Sequence, residues 1–216
     1  MPKLNHDLAY AVGLICTDGY LSKDGRHIIF TSVDKDLIEI FKKCLNKTNP
    51  ITVNPKSSLS KQICYKVQIG DVQLYKWLLH TGLFPKKSLT LERINIGTRY
   101  FRDFLRGHLD GDGSIIKYED RYLQHLNPKY VYKRLFVYFN SASQKHIYWL
   151  QTTITKLTKL KGSISSYQSK TRVGTNPYYT LKFSTKEATI LLNWIYYDPE
   201  VPCLKRKYDK AKSYLI

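Results

Sequence analysis

Apolar residues recur with two different periods along this chain, and the two periods follow each other in a regular order. The segment His6 to Asp18 has helical spacing and follows Asn5, a residue type that commonly caps helix N-termini. A hairpin is predicted across residues 20–32, because the Asp-Gly pair at 24–25 is typical of a tight turn. A helix over Asp34 to Leu45, a second hairpin over residues 51–55 and 62–69, and a helix over residues 72–80 complete the pattern.

The same order of elements returns in the second part of the chain. Ala11-Val-Gly-Leu-Ile-Cys-Thr-Asp-Gly19 shares its design with Leu105-Arg-Gly-His-Leu-Asp-Gly-Asp-Gly113, so that Asp18 and Asp112 lie 94 residues apart. Phe139-Asn-Ser141 precedes a helical run at residues 144–157, as Phe30-Thr-Ser32 precedes residues 34–45. Each copy therefore reads helix, hairpin, helix, hairpin, helix, which predicts an α+β protein built from one unit written twice.

The repeat also sets the domain organisation. We expect an N-terminal half over residues 1–97 and a C-terminal half over residues 98–216, with a linker at about 83–97 that contains Pro85 and Gly97. The offset between the copies grows from 94 to 109 residues between Lys117 and Arg134, which indicates a 15-residue insertion in the first hairpin of the second half.

Composition limits the classes of function. The 216 residues contain 35 Lys and Arg against 17 Asp and Glu, and this net charge of +18 predicts a polyanionic partner, nucleic acid before an anionic membrane. With 43% hydrophobic residues the chain can bury a core and is not a disordered basic tail. The four cysteines are scattered without zinc-finger spacing, which favours free thiols in a reducing compartment. No long apolar run predicts a secretion signal or a membrane span, so an intracellular protein is expected.

Small residues form a stripe on each of the two repeated helices. Ala9, Gly13 and Thr17 recur every fourth residue, as do Gly107 and Gly111. Two helices with such stripes can pack with their backbones close together. If they pack in parallel, Asp18 and Asp112 meet at their C-terminal ends.

Carboxylates are unfavourable at those ends, because the helix dipole is negative there and the two charges repel each other. A hard divalent cation such as Mg²⁺ would offset both effects, and over a basic surface this arrangement suggests metal-assisted hydrolysis of phosphodiesters. The simpler interpretation is that each Asp-Gly pair forms a C-terminal turn, with Gly19 and Gly113 in the left-handed conformation. The occurrence of the same pattern twice favours the functional interpretation.

These two segments resemble the paired motifs of single-chain LAGLIDADG homing endonucleases, and the resemblance covers nearly the whole chain. It implies two αββαββα repeats with pseudo-two-fold symmetry, motif helices packed at the interface, and two antiparallel sheets that form a saddle over the major groove of double-stranded DNA. It further implies a monomer that serves intron homing and cleaves both strands of a long asymmetric site, leaving short 3′ overhangs. The implied cofactor is Mg²⁺, for which Mn²⁺ or Ca²⁺ can substitute in binding.

The resemblance also assigns site residues. The acid before the final glycine of each motif, Asp18 and Asp112, is the metal ligand. The other motif acid is kept as Asp110 but replaced by Cys16 in the first copy. A basic residue late in each repeat lies near the scissile phosphate, for which we choose Lys87 and Lys207, with Lys205 as a possible substitute for the latter; a solvated basic face is the alternative.

DNA contacts are expected from the exposed faces of the strands. If Tyr65, Val67 and Ile69 are buried, Lys66 and Gln68 face the ligand. The other candidates are Lys23, Arg26, Lys117, Arg121, Lys133, Arg134, Lys170, Thr180 and Lys182. The insertion is expected to contact one flank of the site. Ser32, Asp34, Ser141 and Ser143 occupy strand-to-helix junctions, where polar residues could support the site's water network, and His108 is expected to be a packing residue because it corresponds to Leu14.

Two alternatives share this fold. An RNA-splicing maturase would bind intron RNA, and a regulatory protein would bind DNA without cleaving it. Retention of both Asp18 and Asp112 favours the enzyme, because a protein that only binds gains nothing from two unfavourable carboxylates.

Overall fold

A computed structural model describes residues 2–54, 63–168 and 177–215. The α-helices are α1 (His6–Thr17), α2 (Lys35–Cys44), α3 (Val72–Thr81), α4 (Phe101–Asp110), α5 (Gln144–Thr158), α6 (Thr185–Ile195) and α7 (Lys205–Ala211). The strands are β1 (Gly19–Leu21), β2 (His27–Ser32), β3 (Ile51–Asn54), β4 (Cys64–Gly70), β5 (Ser114–Asp120), β6 (Tyr132–Ser141), β7 (Ser163–Tyr167) and β8 (Tyr178–Ser184).

Two antiparallel sheets confirm the predicted repeat. The first sheet has the strand order β1-β2-β4-β3, and the second has the order β5-β6-β8-β7, which is the same topology four strands later. In the centre of the first sheet Phe30 pairs with Val67, and in the second Phe139 pairs with Leu181. All four side chains are buried and pack under the helices, so one face of each sheet closes a hydrophobic core. The α+β class and the pseudo-symmetric arrangement are therefore confirmed.

The two motif helices lie between the halves. Every residue of α1 from Leu8 to Cys16 is buried, as expected for a helix that packs on all sides. Helix α1 begins as predicted, since the Asn5 side chain accepts a hydrogen bond from the Leu8 N–H at 2.7 Å. It ends one residue earlier than predicted, at Thr17, and Asp18 is its C-terminal cap.

The segment predicted as a linker is anchored on the core. Leu83, Leu91, Ile94 and Ile96 are all buried, and residues 87–89 form a short 3₁₀ turn. The connection between the halves is therefore held to the core at intervals, and this anchoring fixes the position of Lys87.

The insertion lengthens the first hairpin of the second half. Strands β5 and β6 have 7 and 10 residues, against 3 and 6 in the equivalent β1 and β2. In the second hairpins, residues 55–62 and 169–176 lie outside the described ranges.

Candidate active site

Glycine determines where the two motif helices meet. A Cβ atom on Gly13 would lie 2.1 Å from the carbonyl oxygen of Phe104, and a Cβ atom on Gly107 would lie 2.1 Å from that of Tyr10. The two glycines are equivalent in the repeat, so the helices cross at their symmetry axis with backbone against backbone. This contact brings the C-terminal ends of α1 and α4 together, as the stripes of small residues predict.

The carboxylates of Asp18 and Asp112 interact at this end. A Cβ atom on Gly111 would lie 1.9 Å from Oγ1 of Thr17 and 3.0 Å from Oδ2 of Asp18, so the glycine before Asp112 leaves room for the end of α1 and the Asp18 carboxylate. Burial, followed by the charge of Asp112, raises the pKa of Asp18 from 3.8 to about 6, although Lys207 and Lys87 act in the opposite direction. The residue Asp112 is exposed overall, and partial desolvation of its carboxyl group raises its pKa as well. Desolvation therefore disfavours the ionised form of both carboxyl groups, and at Asp18 the charge of Asp112 adds to this effect.

Lys207 is buried, only 4% exposed, and it caps the C-terminal end of α4. Its Nζ lies within hydrogen-bond distance of the carbonyl oxygens of Leu109 (2.7 Å), Asp110 (2.8 Å), Gly111 (2.9 Å) and Gly113 (2.7 Å), which share its three N–H donors. A cation is favourable at a helix C-terminus, where the last carbonyl groups lack helical partners. Burial lowers the pKa of Lys207 to about 8, although the carboxylates of Asp110, Asp18 and Asp112 raise it.

Lys87 has the equivalent position in the first half. It is 5% exposed, and its Nζ donates to the carbonyl oxygen of Gly19, the residue that corresponds to Gly113. Burial lowers its pKa as well, against the raising effect of Cys16, Asp18 and Asp112. The structure thus brings the four predicted catalytic residues together and buries both lysines, so neither belongs to a solvated basic face. Lys205, by contrast, is exposed.

Asp110, the other acid of the second motif, forms hydrogen bonds that hold parts of the fold together. Oδ2 of Asp110 accepts hydrogen bonds from the Tyr10 hydroxyl (2.7 Å) and the Leu204 N–H (2.8 Å). Burial raises the pKa of Asp110 to about 6. Asp110 therefore ties α4 to α1 and to the segment before α7, rather than pointing to the pair of Asp18 and Asp112.

The equivalent residue in the first half, Cys16, belongs to a buried cluster that sequence reasoning missed. Its Sγ lies 3.5 Å from Nε2 of His146, and Nε2 of His108 lies 3.2 Å from the same atom. His108 is buried as expected, but its Nδ1 has no hydrogen-bond partner among the described residues. The three residues lie on α1, α4 and α5, so no local spacing reveals them. Two histidines at positions that the first repeat fills with leucine were the available signal.

Some predicted DNA-contact residues share the open faces of the sheets. In β4, Lys66 and Gln68 alternate with the buried Val67 and Ile69. In β8, Thr180 and Lys182 alternate with the buried Leu181 and Phe183. Tyr65 is half-buried rather than buried, which leaves the alternation unchanged. Nζ of Lys182 lies 4.2 Å from the ring centroid of Phe136, so this cation rests on an aromatic surface.

Other candidates lie elsewhere on the molecule. Lys117 pairs in register with the buried Leu135, and Lys133 pairs with Glu119, so both lysines have the parity of the core face. They line a surface pocket with Ser213 and Tyr214, away from Lys182. The expectation that they share the ligand-facing side of the strands is therefore corrected: the strand register places them on the other face.

Most of the remaining candidate DNA-contact residues lie near the ends of the hairpins. Arg134 has the open-face parity and forms an ion pair with Asp120 at 2.8 Å, and the exposed Arg121 pairs with Glu119 at 2.7 Å. Lys23 and Arg26 are exposed on the first hairpin. Lys170 lies outside the described residues.

The strand-to-helix junctions are occupied by local hydrogen bonds. Oγ of Ser32 accepts from the Asp34 N–H at 3.1 Å, and Oγ of Ser141 accepts from the Ser143 N–H at 3.0 Å. Asp34 is further held by Arg206 at 2.7 Å, and Ser143 caps α5. These polar residues shape the junctions beside the motif helices.

The donor set at the helix ends fits a divalent cation. Two interacting carboxylates at the ends of adjacent helices offer oxygen ligands, the kind that Mg²⁺ and Ca²⁺ prefer. Asp18 and Asp112 are the residues that would hold it.

Within the described ranges, no helix has the length and apolar character needed to cross a membrane.

Known structures share this architecture. No protein-family model and no curated protein matches the sequence. The LAGLIDADG meganuclease I-AabMI bound to uncleaved DNA matches with a TM-score of 0.60 and 13% identity, over 98% of this chain and 89% of that one. A variant of I-DmoI, in complex with its target DNA in the presence of Mg, matches with a TM-score of 0.53 and 14% identity, over 88% and 95%.

A protein not described as an endonuclease matches equally well. Full-length DUF199/WhiA from Thermatoga maritima has a TM-score of 0.56 and 15% identity. The match covers all of this chain but only 63% of that one. Likenesses at such low identity establish architecture alone, and here they agree in helices, sheets and repeat: the chain has the double-repeat LAGLIDADG fold.

Proposed function

We propose that this chain is a monomeric, site-specific endonuclease that hydrolyses both strands of double-stranded DNA with Mg²⁺ and leaves short 3′ overhangs at a long asymmetric target. The observation that carries the proposal is the convergence of Asp18 and Asp112 at the ends of two glycine-packed helices, with a buried lysine beside each. A protein that only binds nucleic acid has no use for two carboxylates whose ionisation is unfavourable.

Each residue of the site has a distinct task. Asp18 and Asp112 hold the cation, which supplies Lewis-acid polarisation of the phosphate when bound. Lys207 neutralises the carbonyl end of α4, and Lys87 binds the carbonyl group of Gly19 just beyond α1, so that the carboxylates can remain ionised at neutral pH. Their positive charge next to the carboxylates also favours an approaching phosphodiester and the charge that develops on it.

The sheets supply the DNA surface. Lys66, Gln68, Thr180 and Lys182 lie on open strand faces and can reach base edges in the major groove, while Arg134 extends that surface toward one flank. I-AabMI, which shares the fold, was solved on DNA. With a net charge of +18 the affinity should fall steeply with salt, because each neutralised phosphate releases counterions.

A second candidate is a protein that binds nucleic acid without cleaving it. DUF199/WhiA carries the same fold and is described as a LAGLIDADG domain rather than as an endonuclease, which favours this alternative. An RNA-splicing maturase that binds intron RNA is the remaining form of the hypothesis.

Selection on a DNA library separates these functions. The purified chain is incubated with randomised duplexes and Mg²⁺, and cleaved molecules are sequenced; the wild type should cleave one family of sites in both strands. Asp18→Asn and Asp112→Asn should each lower the cleavage rate by on the order of 100-fold or more while retaining binding. Asp36→Asn, on the exposed first turn of α2, is the matched control and should cleave normally.

Each outcome has a defined meaning. Cleavage that survives both active-site substitutions refutes the assignment of Asp18 and Asp112. Sequence-specific DNA binding without cleavage under any divalent metal supports the second candidate, and preferential binding of structured RNA supports the maturase.

A further inference from the structure

A thiol and two imidazoles converge inside the core, beside the candidate active site but separate from it. Cys16, His108 and His146 are 6%, 1% and 0% exposed, and their ligand atoms all lie within 4.8 Å of one another. We propose that this Cys-His-His cluster binds one Zn²⁺ ion, which joins α1, α4 and α5 across the interface between the halves.

Two of the three distances between ligand atoms fit tetrahedral zinc, and the third, between the Cys16 sulfur and a ring nitrogen of His108, is no longer than 4.8 Å. Zn–N bonds of about 2.0–2.1 Å and a Zn–S bond of about 2.3 Å place ligand nitrogens roughly 3.3 Å apart and nitrogen roughly 3.6 Å from sulfur. The two nitrogens of His108 and His146 lie 3.2 Å apart, and the nitrogen of His146 lies 3.5 Å from the sulfur of Cys16. Soft thiolate with imidazole selects zinc over Mg²⁺, and these three residues supply three of the four tetrahedral positions. On binding, the Cys16 thiol releases its proton to solvent and both imidazoles coordinate as neutral ligands.

The orientation of His146 supports coordination. Its Nδ1–H donates to the carbonyl oxygen of Glu92 at 2.7 Å, which leaves the Nε2 lone pair directed at the cluster. A backbone carbonyl bound to the far ring nitrogen is the arrangement that commonly fixes a zinc-ligating histidine. Without a cation, Cys16 and His108 both approach this single acceptor, and it can accept only one strong hydrogen bond.

The internal repeat shows that the fold does not need these polar groups. His108 corresponds to Leu14, and His146 corresponds to Leu37, both of which are buried apolar residues. Cys16 corresponds to Asp110. The pseudo-symmetric counterpart of the cluster, formed by Leu14, Leu37 and Asp110, therefore contains a single polar side chain, whereas the cluster itself collects three metal-ligating side chains at the cost of burying them.

An aromatic shell isolates the cluster. Trp149 lies 5.2 Å from His146 between ring centroids, and Phe139 lies 5.9 Å from His108. Bound zinc would therefore be retained rather than exchanged rapidly. Because Cys16 is two residues from Asp18, and His108 four from Asp112, the ion would also fix the relative positions of the two motif helices.

Direct metal analysis tests the proposal. The full chain is unfolded in chelator and refolded with Zn²⁺ or Co²⁺, dialysed, and analysed by mass spectrometry under native conditions and by absorption. We expect one tightly held Zn²⁺ per chain, and for Co²⁺ a sulfur-to-metal charge-transfer band with the visible bands of tetrahedral geometry. Cys16→Ser should weaken Zn²⁺ binding by on the order of 100-fold or more.

Two controls separate this site from the proposed active site. Cys64→Ser removes a half-buried thiol outside the cluster and should keep the full signal. The double variant Asp18→Asn with Asp112→Asn should also keep the zinc, even though it loses cleavage. His108→Leu places the first half's own residue in the second half and should fold but lose the tetrahedral cobalt spectrum.

Two results would overturn the proposal. One is a wild-type chain that refolds without retaining zinc and shows no charge-transfer band with cobalt. The other is zinc retention that is unchanged in both Cys16→Ser and His108→Leu.

Discussion

Replacing Asp18 by Asn should stabilise the metal-free protein. Folding raises the pKa of the Asp18 carboxyl group from 3.8 to about 6. Once the pH exceeds both values, this shift lowers the free energy of unfolding by roughly 3 kcal/mol. Because Asp18 is only partly buried, solvent screening reduces this figure, and we expect a gain of about 1–2 kcal/mol for Asp18→Asn at about pH 7.5. The neutral amide keeps the shape of the side chain and removes the repulsion from Asp112.

The gain should depend on pH in one direction. Since the folded state binds this proton more tightly than the unfolded state, the stability contribution of Asp18 falls as the pH rises from about 4 to about 6. At about pH 4 and below, the wild-type residue is increasingly protonated in both states, so the difference between wild type and variant should disappear.

Urea denaturation in chelator measures this difference, with the m-value confirming an unchanged transition. Added Mg²⁺ should stabilise the wild type more than the variant, since Asp18→Asn removes one of the two carboxylates that would hold the cation. The control Asp36→Asn should instead lose up to about 1 kcal/mol, because an acid in the first turn of a helix is favourable. An Asp18→Asn variant that is no more stable than wild type at any pH would refute the claim that the site is electrostatically stressed.

Three further predictions follow from the same geometry. Gly107→Ala should cost about 3 kcal/mol or more in urea denaturation, because the new methyl group meets the Tyr10 carbonyl at 2.1 Å, while Gly97→Ala, with open space around it, should change stability by less than about 0.5 kcal/mol. Lys207→Met should cost about 2–4 kcal/mol because it removes the three N–H donors that four carbonyl groups share, and an effect no larger than that of the exposed Lys205→Met would contradict the capping role. The single-turnover cleavage rate at limiting Mg²⁺ should rise as Asp18 deprotonates near pH 6 and fall as Lys207 deprotonates near pH 8. A rate that does not change between about pH 5 and about pH 9 would show that the ionisation of neither group controls cleavage.

The repeat and the positions of the two site carboxylates could be predicted from the sequence alone, because both follow from patterns of neighbouring residues. Residues that are close in the sequence determine the helix spacing, the Asn5 cap and the alternation in β4 and β8. These features can therefore be predicted without the tertiary structure. Gly13 and Gly107 indicated a close contact between two helices. Glycine inside a helix lowers stability, and close approach of two backbones compensates for this loss.

Only the tertiary structure decided what the lysines touch and which strand face a residue occupies. Lys87 and Lys207 are far from the motifs in sequence, and folding buries both against the helix ends instead of exposing them to solvent. The register of β5 with β6 turned Lys117 and Lys133 toward the core face, a choice that a shift of one residue would reverse. Cys16, His108 and His146 come from three separate helices, and only packing between the two halves places their nitrogen and sulfur atoms together.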